Sequence, residues 1–143
     1  PHLIKSIENE NQIDFTYREK RYTTIDTKHF DPVIEGMEAV YTSGTARFLQ
    51  IPGIRVAGKT GTVENFTRID GNKVQLTDHS VFVAFAPVED PKIAIAVYIE
   101  HGYYGNRYAG HIASLMIEKY LKGSITRSDL EKRCKRLVVV ARD

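Results

Sequence analysis

Two apolar runs, Ser80–Ala86 and Lys92–Ile99, stand close together, joined only by Pro87-Val88-Glu89-Asp90-Pro91. So short a joint predicts an antiparallel hairpin. Both runs are apolar on both faces, so they read as central, buried strands. One face carries Val81, Val83 and Phe85 from the first run, with Ile93, Ile95, Val97 and Ile99 from the second. The other carries the small residues Ala84, Ala86, Ala94 and Ala96. Small side chains let a helix backbone approach closely, so the pattern predicts a helix packed on each face of the sheet.

Helices flank this hairpin in sequence. Asp31 is a good N-cap and Pro32 would fall at the first helical position, so a helix is expected to begin there. Val33, Met37, Val40 and Tyr41 give it one apolar face, and Thr42-Ser43-Gly44-Thr45 stops it, with Gly44 as the C-terminal cap. A turn at Pro52-Gly53 leads into an expected strand over Ile54–Val63. Ile69-Asp70-Gly71-Asn72-Lys73 reads as a loop or hairpin tip. Beyond the core hairpin, Tyr108–Leu121 is a second helix with Ala109, Ile112, Ala113, Met116 and Tyr120 as its buried stripe, ended by Gly123. Ser128-Asp129-Leu130-Glu131 has capping-box spacing and opens a third helix, whose Lys132, Arg133, Lys135 and Arg136 read as a solvated face. Near the start, Leu3–Ile7 and Phe15–Tyr17 suggest short extended pieces, together an irregular hairpin over Leu3–Tyr22. The expected fold is α+β, with an antiparallel sheet of about three core strands. Residues 1–123 form its main body and 124–143 a basic helical extension.

Composition narrows the function classes. The chain has 143 residues, 42% of them hydrophobic and 27% charged, as in ordinary globular domains. A net charge of +2 is too small to suggest nucleic acid as a partner. No run approaches the length of a membrane span. The single cysteine, Cys134, rules out an internal disulfide and a cysteine-built zinc site. The five histidines show no metal-ligand spacing, and no cofactor motif is present.

The chemistry-bearing stretch is Val56-Ala57-Gly58-Lys59-Thr60-Gly61-Thr62-Val63. Lys-Thr-Gly is one of three motifs of penicillin-binding proteins and class A β-lactamases, beside Ser-x-x-Lys and Ser-Asp-Asn. Alone it is weak, and a surface strand lysine is the alternative reading of Lys59. Around it stand Glu35-Gly36-Met37, Ser43-Gly44-Thr45-Ala46, Asp78-His79-Ser80-Val81-Phe82-Val83-Ala84-Phe85-Ala86-Pro87, Glu100-His101-Gly102 and Ala109-Gly110. As a set, over about residues 31–123, they resemble the C-terminal part of the transpeptidase domain of a class B penicillin-binding protein, closest to the penicillin-binding protein 2 family.

That resemblance implies a partial penicillin-binding transpeptidase or serine β-lactamase-like fold. It also implies a peptidoglycan D,D-transpeptidase that cross-links stem peptides ending in D-Ala-D-Ala through a serine ester, and that β-lactam antibiotics acylate. Lys59 would then supply positive charge, Thr60, Gly61 and Thr62 would bind the substrate strand and its carboxylate, and the backbone N–H of Thr62 would be an oxyanion donor. Tyr103 and Arg107 are candidates for the cleft rim, with simple packing as the alternative. Asp78 and His79 are family markers with a structural role. The setting implied is the periplasmic side of the bacterial cytoplasmic membrane, with a membrane glycosyltransferase as partner.

Two departures qualify the match. Val63-Glu64 follow the Lys-Thr-Gly-Thr stretch where the family often has a small residue and Gln. None of the six serines has Lys three positions on, and Ser124-Ile125-Thr126-Arg127 offers an arginine, which stays charged and cannot serve as base. The expectation is therefore a C-terminal fragment, inactive alone, whose nucleophile, pedestal and membrane anchor lie upstream. Such a piece would expose apolar surface and either dimerise or need the rest of its protein. A β-lactamase or β-lactam sensor, and a non-enzymatic peptidoglycan- or partner-binding domain, are the competing readings.

Overall fold

The computed structural model describes residues 22–140, with side chains as far as Arg136. The extended pieces expected at Leu3–Ile7 and Phe15–Tyr17 lie outside the described residues. The elements are α1 (Asp31–Thr42), β1 (Ala57–Val63), β2 (Phe66–Ile69), β3 (Asn72–Gln75), β4 (His79–Ala86), β5 (Ile93–Ile99), α2 (Ala109–Lys122) and α3 (Ser128–Val140). Short 3-10 turns at Thr27–His29 and Arg47–Leu49 flank α1. Among the described residues no helix is long and apolar enough to cross a membrane.

The main sheet is antiparallel, in the order β1-β4-β5, and β2-β3 form a separate antiparallel pair. The small hairpin closes at Asp70 (φ 50°) and Gly71 (φ 80°), a pair of left-handed residues that suits a tight hairpin turn. Its two strands are mostly exposed and short, which is why the sequence marked only the tip.

The faces of the core hairpin differ from the sequence expectation. Ala86 pairs with Ile93, Ala84 with Ile95 and Phe82 with Val97, whereas Val83 meets Ala96 and Phe85 meets Ala94. Residues directly opposite one another share a face. The register thus sets the alanines of β4 among the aliphatics of β5, large beside small. A shift of one residue would have reversed this, and alternation within each strand cannot fix it.

Phe82, Ala84 and Ala86 are buried on this mixed face together with Tyr41, Leu49, Ile51, Val56, Ala109, Ala113 and Ile117. Tyr41 of α1 stands edge-on to Phe82, with centroids 5.9 Å apart. Gly58 admits that ring, since a Cβ there would lie 2.9 Å from Tyr41 Cε2. Gly110 of α2 comes equally close, because a Cβ there would meet Leu49 Cδ1 at 2.7 Å. Both helices therefore cover the same face. The expectation of a helix on each face is not met among the described residues, where Val83 is 39% and Tyr98 53% exposed on the opposite side.

Local boundaries also shift. Helix α1 starts one residue early, with Phe30 at the N-cap and no side-chain cap, because the preceding 3-10 turn leads straight into it and Ile34 N–H already bonds Phe30 O at 2.9 Å. Ser43 rather than Gly44 is its C-cap, and the N–H groups of both donate to Ala39 O. Strand β1 begins at Ala57, after an Ile51–Ile54 bridge around the Pro52-Gly53 turn. In α2 the buried stripe is Ala109, Gly110, Ala113, Ser114, Ile117 and Glu118, while Met116 and Tyr120 face solvent. Gly123 ends α2 in the left-handed conformation (φ 75°), as expected. Ser128 is already helical, and Glu131 N–H bonds Arg127 O.

The rotation of α2 has a cause that no hydrophobic pattern reveals. Glu118 is fully buried and accepts from Arg127 Nε at 3.0 Å, Thr126 Oγ1 at 2.6 Å and Thr126 N–H at 3.2 Å. The same guanidinium donates to Leu49 O (2.9 Å), Gln50 O (3.1 Å), Ser114 Oγ (2.9 Å) and Ser114 O (2.9 Å). Burial pushes the Glu118 carboxyl up, but the hydrogen bonds from Thr126 and Arg127 outweigh it and hold the group below its ordinary value of 4.5.

Two outcomes follow from this pair. Arg127→Ala leaves Glu118 buried and unpaired, and urea unfolding should show a loss of about 3–5 kcal/mol. A loss under about 1 kcal/mol would mean that water reaches the carboxylate. For pH, the unfolded chain takes up the Glu118 proton before the folded one does. The stability this carboxylate contributes is whole above about pH 4.5 and is lost as the pH falls further. Glu118→Gln should flatten the acid limb of a stability-against-pH curve, and an unchanged limb would assign it to other carboxylates.

Candidate active site

Strand β1 is an edge of its sheet, pairing with β4 on one side and with no described strand on the other. An edge strand leaves every second backbone N–H and C=O free to pair with an incoming chain. Lys59-Thr60-Gly61-Thr62 lies in the middle of this edge. Thr60 pairs with Phe82 and Thr62 with Ser80, so both threonines stand on the helix-covered face. Lys59 and Gly61, opposite Val83 and Val81, stand on the other.

Lys59 is exposed, and its ammonium donates to Thr60 O at 2.7 Å. Among the described residues no acidic side chain pairs with it and no second wall faces it. The positive charge is therefore displayed on an open surface, not enclosed in a cleft. A hollow of about 150 Å³ lined by Glu38, Tyr41, Gln50, Ile54 and Arg55 shares no residue with the triplet.

Thr60 is half-buried, with its hydroxyl 3.2 Å from that of Thr45. Thr45 O accepts from Asn106 Nδ2 at 3.0 Å, and Asn106 O lies 3.0 Å from His111 Nδ1. A carbonyl only accepts, so Nδ1 carries the proton. Burial, with Arg133 and Arg127 adding to it, lowers the His111 pKa against the opposing Asn106 hydrogen bond, and its Nε2 has no described partner.

The segment after β5 is pressed against β1 backbone to backbone. A Cβ on Gly105 would run into Gly61 O and Val81 O and would sit 2.7 Å from Gly61 N. Ser80 Oγ, donating to Tyr104 O at 2.9 Å, fixes the same point. Beside it, Tyr103 takes a left-handed conformation (φ 58°), its N–H bonds Asp78 O, and the Arg107 guanidinium lies 5.3 Å from its ring. Both side chains are exposed next to the triplet's C-terminal end.

Asp78 and His79 tie the β2-β3 hairpin and the segment after β5 to the start of β4. Asp78 Oδ1 accepts from Asn65 N–H (3.2 Å) and Gln75 Nε2 (3.0 Å). His79 Nδ1 accepts from His101 N–H (3.1 Å), and its ring lies tilted against those of Tyr98 and His101, with centroids 5.3 and 5.4 Å away. Among the described residues no group of three or more His, Cys, Asp or Glu side chains could hold a metal ion. Sequence reading did not single out Thr45, Gly105 or Asn106 for this site. They reach Thr60 and Gly61 only through tertiary contact, and no spacing rule links positions so far apart.

The family model described as the penicillin binding protein transpeptidase domain matches residues 1–119. Peptidoglycan D,D-transpeptidase MrdA of Acinetobacter baumannii is 42% identical over 82 residues, covering 52% of this chain and 12% of that protein. The imipenem acyl-enzyme complex of penicillin-binding protein A from Mycobacterium tuberculosis superposes with a TM-score of 0.51 at 31% identity, over 63% of this chain and 18% of that one. Pseudomonas aeruginosa PBP2 in complex with WCK 5153 gives 0.53 at 26% identity, over 72% and 22%. The chain thus spans roughly an eighth to a fifth of the length of these relatives. With its α+β fold, its edge strand bearing Lys59-Thr60-Gly61-Thr62 and a match over most of its length, the chain belongs to the penicillin-binding protein transpeptidase domain family.

Proposed function

We propose that this chain supplies one wall of the active site of a serine D,D-transpeptidase that cross-links peptidoglycan stem peptides and is acylated by β-lactams. The observation that carries the reading is the position of Lys59-Thr60-Gly61-Thr62 on an open strand edge, within a chain of the transpeptidase family. Relatives named as D,D-transpeptidases and the imipenem acyl-enzyme of a structural neighbour support it.

The chemistry follows from the residues. A stem peptide ending in D-Ala-D-Ala adds to the edge of β1 as an extra strand, and Gly61 presents no side chain against it. Lys59 attracts the terminal carboxylate, and the hydroxyls of Thr60 and Thr62 hydrogen-bond it. The Thr62 N–H is one of two donors to the tetrahedral oxyanion, a contribution typically worth on the order of 10²–10³ in rate. A serine elsewhere in the protein attacks the penultimate D-Ala carbonyl. The peptide C–N bond breaks, D-Ala leaves with a proton, and an amine of a neighbouring strand takes the acyl group. Tyr103 and Arg107 form the rim beside Thr62.

In this reading the nucleophile, a membrane anchor and contacts to a membrane glycosyltransferase belong to parts of the protein outside this chain. The reaction takes place on the periplasmic side of the cytoplasmic membrane. The open sheet face bearing Val83 and Tyr98 meets the remainder of the protein or, in the isolated piece, a second copy.

Intact mass after incubation with benzylpenicillin tests the assignment. The complete protein should gain one covalent adduct, and this chain by itself none. Lys59→Ala in the complete protein should slow adduct formation by about 10–100-fold, as loss of a charged hydrogen-bond partner implies. An adduct on the isolated chain would place the nucleophile among its own serines. A folded complete protein that never forms an adduct would sink the transpeptidase reading.

A further inference from the structure

The hydroxyl of Thr60 has a single proton and can also accept. Its one described partner is the Thr45 hydroxyl at 3.2 Å. Two orders are open to this pair. With Thr60 donating to Thr45, an anion arriving at the edge of β1 meets oxygen lone pairs. With Thr45 donating to Thr60, the Thr60 proton is free to point at the anion, and the donated bond polarises it further.

The surroundings hold Thr45 in reach of that second order. Its carbonyl accepts from Asn106 Nδ2 at 3.0 Å. Asn106 O is held in turn at 3.0 Å by Nδ1 of His111, which is 1% exposed. Gly105, the residue before Asn106, rests on the Gly61 backbone. One short segment therefore fixes both the strand carrying Thr60 and the residue that touches its hydroxyl. We propose that Thr45 is a positioning residue: anchored by Asn106, it donates to Thr60 and turns the Thr60 proton toward a carboxylate-bearing ligand on β1. The inference rests on the transpeptidase reading and adds to it a residue outside the Lys-Thr-Gly motif.

The probe is benzylpenicillin, which carries a carboxylate, used on the complete protein that contains this chain. The concentration dependence of acylation separates the dissociation constant from the limiting acylation rate. Thr45→Val, nearly isosteric, should raise the dissociation constant about tenfold, the weight of a hydrogen bond to a charged group. The limiting rate should change little. Thr45→Ser, which keeps the hydroxyl, should restore binding. On a Thr60→Val background, Thr45→Val should have no further effect, because the two act through one proton. Asn106→Ala provides a second route, loosening Thr45 without removing its hydroxyl, and should raise the dissociation constant as well. An unchanged dissociation constant in Thr45→Val, or additive losses in the double variant, overturns the proposal while the wild type is still acylated. A wild type that is not acylated overturns the transpeptidase reading itself, and this proposal with it.

Discussion

One guanidinium organises the covered side of this molecule. Arg127 reaches from the start of α3 to Glu118 and Ser114 of α2 and to the carbonyls of Leu49 and Gln50. Ser114 Oγ donates to the same Leu49 carbonyl at 2.6 Å. These bonds join α2, the start of α3 and the distant Leu49-Gln50 segment around the fully buried Glu118 side chain. A buried ion pair is a poor source of net stability, since desolvation takes back most of the attraction. Its effect is to select one arrangement. Any rotation of α2 that would bury Met116 or Tyr120 instead would strand Glu118 without its partners.

From that fixed helix the rest of the site follows by contact. Helix α2 begins just after Gly105 and Asn106, so its placement determines where they meet β1 and Thr45. The segment between α1 and β1 is gripped at Leu49 and Gln50, only a few residues beyond Thr45. Among the described residues the outer edge of β1 is thereby left unpaired yet firmly backed. Natural sheets commonly blunt such edges, because they invite other chains. Here the edge carries a lysine, two threonines and a bare glycine, which suits the recognition of an extended peptide.

Much of this was legible in the sequence. The strand pair at residues 80–99, the helices around 31–42 and 109–122, the Gly123 cap and the Lys-Thr-Gly strand all follow from local pattern. What the sequence hid is relational. Cross-strand register decides whether Ile95 shares a face with Val83 or with Ala84, and alternation within a strand does not contain that information. Apolarity puts Met116 and Tyr120 in the α2 stripe with Ala109 and Ala113, whereas the structure buries Ser114 and Glu118 in their place. Their partner, Arg127, stands out in the sequence only as a residue that cannot serve as a base. Thr45 stands among the family-like residues and Asn106 in the loop between Tyr103 and Arg107, but their link to Thr60 exists only in three dimensions.

The grip on the segment after β5 bears on how the chain can vary in length. Tyr103 N–H is bound to Asp78, Tyr104 O to Ser80, Gly105 lies on Gly61, and Asn106 is bound to Thr45. Four successive residues each answer to a different fixed point, so this loop has no slack. An inserted or deleted residue would put every later contact out of step, up to the first turn of α2. The Asp70-Gly71 tip is the opposite case, exposed, bonded at Gly71 O to Arg68 of its own hairpin, and joined to the rest of the described molecule at the hairpin's base. Among relatives of this chain, insertions should accumulate at that tip and be rare between Tyr103 and Asn106.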